Sequence, residues 1–556
     1  MSERSDGLRL GGYAGAVEER LRRWQDERFG ERLWARDHTL WSREPVPELT
    51  DRLGWLELPA AMAGEVETLE RFAREAAEEG IRQAVVLGMG GSSLAPEVYA
   101  RTFGAASGYP ELEVLDSTHP GAVQDLAARL DATSDVERSL FLVSSKSGTT
   151  TETLSFFRFF WERAAALGDP GRHFAAITDP GTPLEKMARE RGFRAVFNAQ
   201  PDVGGRYSAL TPFGLVPAAL LGADVRALLG SGWAMAEACA PNASAAANPG
   251  LLLGAALGEL ALAGRDKVTF VTSPSLASFP AWLEQLIAES TGKTGLGIVP
   301  VAGEPLGDPG VYGADRFFVA ILLEEDDAGD IEERLAALER DGHPVAVFRL
   351  GRKADLGAEM FRWEVAVAAA GAVLGLNPFD QPDVQLAKEL ATRAMKERGQ
   401  GNAAVSSGGE VKAEALDGAM EDWLAGVGPG SYLGLHAYLP PRPATDEALS
   451  RLQALLRDRT RCATTLGHGP RFLHSTGQLH KGGPDTGRFL QIVDEPADDL
   501  PVPEAGYTFA TLIRAQADGD RAALLQRGRR VLRVQLGQDA PAGLAALIGA
   551  VERLPS

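Results

Sequence analysis

Short apolar runs alternate with longer amphipathic stretches along most of this chain. Residues 17–29 and 65–79 are amphipathic and rich in charge, which predicts helices near the N-terminus. From residue 82 the pattern changes to apolar runs at 82–87, 112–115, 139–144 and 173–178, with a helical stretch over 152–166. Short buried strands that alternate with helices indicate a parallel sheet with crossover helices.

The same alternation recurs twice further along the chain. After an Ala- and Gly-rich helical stretch at 232–264, strands are predicted at 267–272, 317–323 and 344–350, with helices at 284–288 and 363–374. A third region predicts strands at 431–439, 489–493 and 530–536, with helices at 446–457 and 507–518. We therefore expect an α/β protein whose second unit resembles its first, as after a duplication.

The predicted boundaries follow from these changes of pattern. A helical N-terminal extension covers 1–62, the first α/β domain 63–232 and the second α/β domain 233–396. The remainder, 397–556, is a linker followed by a C-terminal α/β segment. The polar stretch 397–411 is the candidate for a linker or mobile loop.

Composition narrows the class of protein. The 556 residues are 45% hydrophobic and carry a formal net charge of −20, which argues against nucleic acid as a partner. The sequence predicts no membrane span and no secretory signal at its N-terminus. Cys239 and Cys462 lie far apart without a CxxC motif, so a disulfide framework is not expected and a reducing cytoplasm fits.

Two strand-to-helix loops carry candidate chemistry. Gly88-Met-Gly-Gly-Ser-Ser93 follows the strand at 82–87, and the loop at 144–151 places six hydroxyls and the Lys146 ammonium in eight positions. Glycines let a backbone approach a phosphate, whose oxygens accept from hydroxyls and from the N–H groups of a helix N-terminus. Ligands of open α/β sheets bind at the carboxyl ends of strands, so the loops predict one shared phosphate site. Loops that only cap their helices are the alternative.

Nucleotide and metal sites are not predicted. Ser93 occupies the third glycine position of the dinucleotide pattern, and Ile287 stands where a P-loop ending at residues 292–294 needs its first glycine. His468, His474 and His480 recur at a six-residue spacing, whereas metal ligands on one helix prefer three or four. We expect no metal and no cofactor.

Two isolated charged residues gain meaning only from their context. Glu289 ends a helical stretch and would ordinarily be a solvated helix residue, while Arg206 after Gly204-Gly205 would ordinarily form a structural ion pair. Together with the loops above, however, their motifs follow the order seen in the glucose-6-phosphate isomerase family, which this chain resembles over about 300 residues. The matching motifs are Gly90-Gly91-Ser92, Ser145-Lys146-Ser147-Gly-Thr-Thr150-Thr-Glu-Thr, Gly204-Gly205-Arg206-Tyr-Ser, Gln285-x3-Glu289-Ser-x-Gly-Lys and Gln381-x3-Gln385-x2-Lys388.

The resemblance implies a fold, a reaction and a set of roles. The fold would be a pair of sugar-isomerase (SIS) parallel-sheet α/β sandwich domains, usually assembled as a homodimer, and the reaction would interconvert glucose 6-phosphate and fructose 6-phosphate. Glu289 would move a proton between C2 and C1, Arg206 would stabilise the cis-enediolate, and Lys388 would help to open the sugar ring. The implied substrate-binding positions are Gly91, Ser92, Ser145, Lys146, Ser147, Thr150, Gly205, Gln285 and Gln381.

The chain departs from the family pattern at the histidine that opens the ring. Asp315 stands where that histidine is expected, and His474 lies far downstream in a similar local sequence, His-Ser-Thr-Gly-Gln. We therefore predict that His474, with His480 as second choice, reaches the site from the third α/β segment. In this arrangement of motifs the chain resembles the isomerase portion of bacterial transaldolase–phosphoglucose isomerase fusions more than it resembles the common family pattern.

Two other functions stay open from the sequence. A sensor that binds sugar phosphates without catalysis would need the phosphate loops but neither Glu289 nor Arg206, so their presence favours an enzyme. A bifunctional isomerase that also accepts mannose 6-phosphate is the second alternative.

Overall fold

The computed structural model describes residues 7–132, 135–384, 389–393, 395, 409–412 and 415–554. The strands are, in chain order, β1 (Gly7–Arg9), β2 (Gln83–Leu87), β3 (Glu111–Leu115), β4 (Ser139–Ser144), β5 (Phe174–Thr178), β6 (Ala195–Asn198), β7 (Lys267–Thr272), β8 (Val299–Val301), β9 (Arg316–Leu323), β10 (Val345–Leu350), β11 (Glu410–Val411), β12 (Tyr432–Tyr438), β13 (Ala463–His468), β14 (Gly487–Val493), β15 (Pro501–Val502), β16 (Tyr507–Thr508) and β17 (Arg530–Gln535).

The α-helices connect and cover these strands. They are α1 (Ala14–Asp26), α2 (Phe29–Trp34), α3 (Leu58–Ala63), α4 (Val66–Glu78), α5 (Leu94–Phe103), α6 (Pro120–Ala132), α7 (Thr151–Ala165), α8 (Pro183–Glu190), α9 (Pro212–Leu220), α10 (Val225–Ala238), α11 (Pro249–Leu262), α12 (Phe279–Thr291), α13 (Ile331–Arg340), α14 (Leu356–Leu374), α15 (Leu416–Leu424), α16 (Pro443–Thr460), α17 (Gly477–Gly482), α18 (Phe509–Gln526) and α19 (Ala540–Arg553).

The first sheet has the order β3-β2-β4-β5-β6, and its paired strands are all parallel. Successive residues of a strand point to opposite faces, and here both faces are covered. On β2, Ala84 and Val86 pack into one core cluster while Val85 and Leu87 pack into another. Burial on both faces explains why this strand reads as a continuous apolar run, and the predicted parallel α/β architecture is confirmed.

The second sheet has the order β1-β10-β9-β7-β8. Its strands pair in parallel except for β1, which runs antiparallel along the edge strand β10. The N-terminal extension, predicted as helical, therefore begins with a strand before its helices. Three residues are too few to show a period of two, which is why the sequence pattern gave no sign of β1.

The third sheet, with the order β11-β17-β14-β12-β13, is parallel throughout. It confirms the predicted C-terminal α/β segment, although the helix predicted over 507–518 begins only at Phe509. The two residues before it, Tyr507 and Thr508, pair with β15 in a small hairpin. Of the predicted linker, residues 397–408 lie outside the described part of the chain, and Glu410 and Val411 form β11.

One apolar core joins the first two sheets. It runs from the N-terminal helices through α9 to α11 and α14, and it includes the buried indoles of Trp24, Trp55 and Trp363. The third sheet has its own core, but Phe509 and Val502 of the C-terminal segment pack with the α7 face of the first sheet. The predicted domain limits at 62, 232 and 396 stay a prediction.

Glu364 lies in the shared core on α14 and is completely buried. Within the described structure neither of its carboxyl oxygens makes a hydrogen bond, and burial raises its pKa well above the ordinary value. A carboxyl whose pKa is raised by folding stabilises the folded state below its unfolded pKa, and that stability is lost as pH rises towards its folded pKa.

We therefore expect Glu364→Gln to be increasingly stabilising, relative to wild type, as pH rises above about 4.5. The difference in free energy of unfolding should grow by at most about 1.4 kcal/mol per pH unit until the folded pKa is reached. Thermal unfolding at pH 5 and pH 8 measures the effect. The exposed Glu333→Gln on α13 is the control, and an equal response of both variants would contradict the prediction.

Candidate active site

The two loops predicted to bind phosphate lie at the carboxyl edge of the first sheet. The loop with Ser92 follows β2 and the loop with Ser145 follows β4, and these strands are direct neighbours in parallel register. The carboxyl ends of adjacent parallel strands meet at one sheet edge, which is where ligands of such sheets bind. The structure thus brings together the two loops that the sequence singled out.

The 145–150 loop presents hydroxyls at the N-terminus of α7, a helix of 15 residues. Ser145 Oγ and Thr150 Oγ1 are 2.9 Å apart, and Ser145 Oγ also accepts from the Gly148 N–H at 3.1 Å. Ser147 is exposed, and Thr150 is the N-cap residue without a side-chain hydrogen bond to the helix. Helix N–H groups and nearby hydroxyls together form a suitable binding site for an anion.

Lys146 pairs with an acidic side chain outside this loop. Its Nζ lies 2.6 Å from Asp179 Oδ2 and 3.4 Å from the Gln200 carbonyl oxygen. Partial burial lowers the pKa of the Lys146 ammonium, while the Asp179 carboxylate opposes that shift. The Lys146 ammonium therefore already has a carboxylate partner in this structure.

Gly91 and Gly205, both predicted as substrate-binding positions, pack against each other. A Cβ on Gly91 would lie 2.0 Å from the Gly205 carbonyl oxygen, so a side chain there would push the two segments apart. This close approach sets the turn that carries Arg206 directly beside the Ser92 loop. The structure thus gives Gly91 a packing reason in addition to the predicted contact with a ligand, whereas a Cβ on Gly205 would meet no atom within 4 Å.

Arg206 lies at the centre of a buried polar cluster between the first two sheets. Its Nη1 donates to Gln381 Oε1 at 2.9 Å and lies 3.4 Å from Glu289 Oε2, and its Nε donates to Ser290 Oγ at 2.8 Å. Its Nη2 donates to the carbonyl oxygens of Pro378 and Asp380 at 2.7 and 3.0 Å. A guanidinium held by this many acceptors has a fixed position and a fixed charge.

Gln285 and Glu289 lie one turn apart on α12, so their side chains share one face of the helix. Gln285 Nε2 is 3.3 Å from Glu289 Oε2 and 2.9 Å from the His474 carbonyl oxygen. Gln285 Oε1 is buried and makes no hydrogen bond within the described structure. The face of α12 thus brings a carboxylate, an unpaired amide oxygen and the Arg206 guanidinium together.

Lys293 ends the motif that begins at Gln285, and no role is predicted for it from the sequence. Its ammonium donates to Asp380 Oδ1 at 2.5 Å and to the Asn377 carbonyl oxygen. Burial lowers the pKa of Lys293 to about 7, and the nearby Arg206 acts in the same direction while Asp380 opposes it. Lys293 and Arg206 therefore hold the segment that carries Gln381 from two sides.

His474 reaches this region from the loop after β13 of the third sheet. Its Nε2 lies 3.0 Å from Glu152 Oε1, in the first turn of α7. Gly90, with φ +54°, packs against it, since a Cβ there would be 2.8 Å from the His474 carbonyl oxygen and 3.0 Å from Gln285 Nε2. His474 thus contacts both α7 and α12, while its role in ring opening stays a prediction.

Arg471 anchors the turn that holds His474 to the first sheet. It lies three residues earlier in the same turn, with its guanidinium in contact with Glu97 on α5 and 3.2 Å from Asp116 Oδ2 after β3. Together with the hydrogen bond from Gln285, this ion-pair cluster fixes where the imidazole lies. No role is predicted from the sequence for Arg471, a lone Arg in a loop, or for Glu152, although Glu152 lies within the motif that begins at Ser145.

Three other candidates lie elsewhere. His480 is buried in the third unit and stacks on His436 at 4.6 Å, with burial holding its pKa well below the ordinary value. Asp315 precedes β9 and lies 3.6 Å from the Lys267 ammonium. Lys388 lies outside the described residues. Of the ring-opening candidates within the described part of the chain, His474 is thus the one that lies beside the phosphate loops and Glu289.

A search of the described ranges finds no cluster of three or more His, Cys, Asp or Glu residues arranged to hold a metal ion. The same part of the chain contains no helix that is both long enough and apolar enough to span a bilayer.

Comparison with known proteins agrees with this geometry. The profile of the family described as phosphoglucose isomerase matches residues 67–299, which include the phosphate loops, Arg206 and Glu289. A glucose-6-phosphate isomerase of Rubrobacter xylanophilus is 31% identical over 397 residues, an alignment that covers 62% of this chain and 90% of the relative. The chain belongs to the glucose-6-phosphate isomerase family. The predicted resemblance is thereby confirmed.

Other relatives give the same picture. A glucose-6-phosphate isomerase of Symbiobacterium thermophilum is 33% identical over 390 residues, covering 60% of this chain and 85% of the relative. The crystal structure of a hypothetical protein from Thermus thermophilus superposes with a TM-score of 0.58 at 28% identity, over 69% of this chain and 99% of the other. The alignments with these two isomerases leave more than a third of this chain uncovered. His474 also lies beyond the residues that match the family profile.

Proposed function

We propose that this protein interconverts glucose 6-phosphate and fructose 6-phosphate through ring opening and a cis-enediolate. Its family membership supports an aldose–ketose isomerase, and one observation supports the chemistry most directly. The Glu289 carboxylate lies 3.4 Å from the fixed Arg206 guanidinium, in a buried cluster beside two loops suited to a phosphate. A base, a stabiliser of negative charge and an anchor for the distal phosphate are the parts that this reaction needs.

The phosphate group would position the sugar. Hydroxyls of Ser145, Ser147 and Thr150, with the N–H groups at the start of α7, would donate hydrogen bonds to its oxygens. Binding energy from a remote group supplies orientation for the reacting carbons without taking part in the bond changes. Ser92 would close the other side of this pocket.

Isomerisation moves one proton between two carbons. The Glu289 carboxylate removes the proton from C2 of the open-chain aldose and the electron pair forms the enediol double bond, while the oxygen at C1 gains negative charge. The Arg206 guanidinium stabilises that charge without itself changing protonation. Glu289 then returns the proton to C1, and proton exchange between the two oxygens gives the ketose.

Ring opening comes first and needs a base for the C1 hydroxyl and an acid for the ring oxygen. His474 suits both roles, because an imidazole changes protonation near neutral pH. Its Nε2 faces the Glu152 carboxylate at 3.0 Å, so Nε2 carries the proton and Nδ1 is the nitrogen that can exchange one with the sugar. Lys388 keeps its predicted part in this step.

A coupled assay on the purified full chain tests the proposed function. We expect turnover of glucose 6-phosphate that a chelator does not reduce. The same assay with mannose 6-phosphate decides whether the enzyme is bifunctional. Binding of glucose 6-phosphate without turnover would contradict the proposal and favour a sensor instead.

The double variant Ser147→Ala with Thr150→Ala should raise KM for glucose 6-phosphate more than it lowers kcat. Each lost hydrogen bond to a charged group costs about 1.5–3 kcal/mol, which corresponds to a rise of roughly ten- to hundredfold per bond. Steady-state kinetics measures the split. An unchanged KM would contradict a phosphate site in this loop.

We further propose that the protein works as a homodimer in the cytoplasm. The family resemblance supports the dimer, and the sequence pattern with its two separate cysteines supports the compartment. Light scattering of the purified chain tests the assembly.

A further inference from the structure

Gln516 on α18 is a buried residue that joins the third sheet to the proposed ring-opening pair. Its Nε2 donates to Glu152 Oε1 at 2.7 Å, the same oxygen that lies 3.0 Å from His474 Nε2. The three side chains come from α7, the turn after β13 and α18, and the sequence separation between Glu152 and Gln516 is 364 residues. One carboxylate oxygen thus receives both donors.

The orientation of the Gln516 amide is fixed from its other end. Thr118, completely buried after β3, donates its hydroxyl to Gln516 Oε1 at 2.6 Å. A hydroxyl that donates to the amide oxygen forces the amide nitrogen to face the opposite partner, which is Glu152. Along Thr118, Gln516 and Glu152, each hydrogen bond is therefore donated towards Glu152.

The same face of α18 also holds the segment that follows His474. Asp520 lies one turn after Gln516 and accepts from the Lys481 ammonium at 2.7 Å, in a pair whose side chains are at most 1% exposed. Lys481 belongs to α17, which begins three residues after His474. Breaking a buried pair is strongly destabilising, so α17 stays attached to α18. The two members of the proposed ring-opening pair, Glu152 and His474, are consequently both held by α18, Glu152 through Gln516 and His474 through α17.

We propose that Gln516 is a positioning residue for ring opening, which sets the Glu152 carboxylate so that the His474 imidazole faces the sugar. This inference rests on the proposed function and on His474 as the ring-opening residue. A donor on the carboxylate favours its ionised form and restricts its rotation. Loss of that donor removes one of the bonds that hold the carboxylate, and the imidazole that it orients then loses its alignment with the C1 hydroxyl and the ring oxygen.

The test compares two substrates with Gln516→Met, which keeps the length of the side chain and removes both hydrogen bonds. Cyclic glucose 6-phosphate should react about 10- to 100-fold more slowly, as expected for a misplaced catalytic group. A hexose 6-phosphate without hydroxyls at C4 and C5 cannot close a ring, and its loss of the C2 proton should stay within about twofold of wild type. A purely structural role would slow both reactions together, and that result would overturn the proposal.

Two further variants make the comparison specific. Gln453→Met is the matched control, because Gln453 is equally buried in the third unit and donates to the Thr464 carbonyl oxygen at 2.7 Å, away from the dyad. Gln453→Met should leave unchanged the ratio of the rate with cyclic glucose 6-phosphate to the rate of C2-proton loss from the analogue that cannot close a ring. Thr118→Val removes the hydrogen bond that orients the amide of Gln516. It should lower this ratio by a smaller factor than Gln516→Met does. A normal ratio in both Gln516→Met and Thr118→Val would also overturn the proposal.

A double-mutant cycle separates this proposal from the proposed function. In a His474→Ala background, Gln516→Met should cause no further loss with the cyclic sugar, since Gln516 acts through His474. Additive losses would contradict that route. A wild-type rate with the cyclic sugar in His474→Ala would contradict the proposed function of His474. A slower reaction in His474→Ala but not in Gln516→Met would contradict only the inference about Gln516.

Discussion

Replacing Glu289 by Gln should lower kcat by about two to four powers of ten, the range typical for loss of a general base. The amide keeps the shape of the carboxylate and its position on α12, one turn after Gln285, but it cannot take the proton from C2. Binding of glucose 6-phosphate should be largely kept, because the phosphate loops on the first sheet are untouched. Steady-state kinetics and calorimetric binding measure the two quantities.

Glu364→Gln is the matched control for this prediction. It makes the same chemical change at a carboxyl that is completely buried in the shared core, where burial raises its pKa well above the ordinary value. Its kcat and KM should equal those of wild type. Near-normal turnover in Glu289→Gln would remove Glu289 from the role of base, whatever the control shows.

Most of the fold could be predicted because its sheets are buried on both faces. A strand such as β4 reads as a continuous apolar run, and the predicted and observed limits of that strand coincide at 139–144. The strands that the pattern missed lack this signal: β8 contains a proline, β6 is only partly buried, and β13 mixes threonines with a single leucine. Edge strands and short strands are fixed by their partners rather than by their own sequence.

The candidate site divides in the same way. Ser145, Arg206 and Glu289 could be proposed because each belongs to a local motif with a recognisable order. Glu152 lies in the same motif as Ser145, but its pairing with Gln516 could not be proposed, because that pairing arises only where α7 and α18 meet, across 364 positions of the chain. A Glu in the first turn of a helix is ordinarily solvated and favourable to the helix dipole. In this structure the third unit buries Glu152, and Glu152 pairs with His474.

His474→Ala should slow the reaction of cyclic glucose 6-phosphate by about two to four powers of ten, since it removes the group that carries protons to and from the ring. Loss of the C2 proton from an analogue that cannot close a ring should change little, because that step needs only Glu289 and Arg206. The contrast is sharp only if His474 acts on the ring, which is why both substrates must be measured on one preparation. The matched control is His468→Ala, six residues earlier in the same segment, whose Nε2 pairs with Asp446 at 3.0 Å instead of with Glu152. Equal slowing of both reactions in His474→Ala, or of neither, would leave ring opening to Lys388 or Asp315.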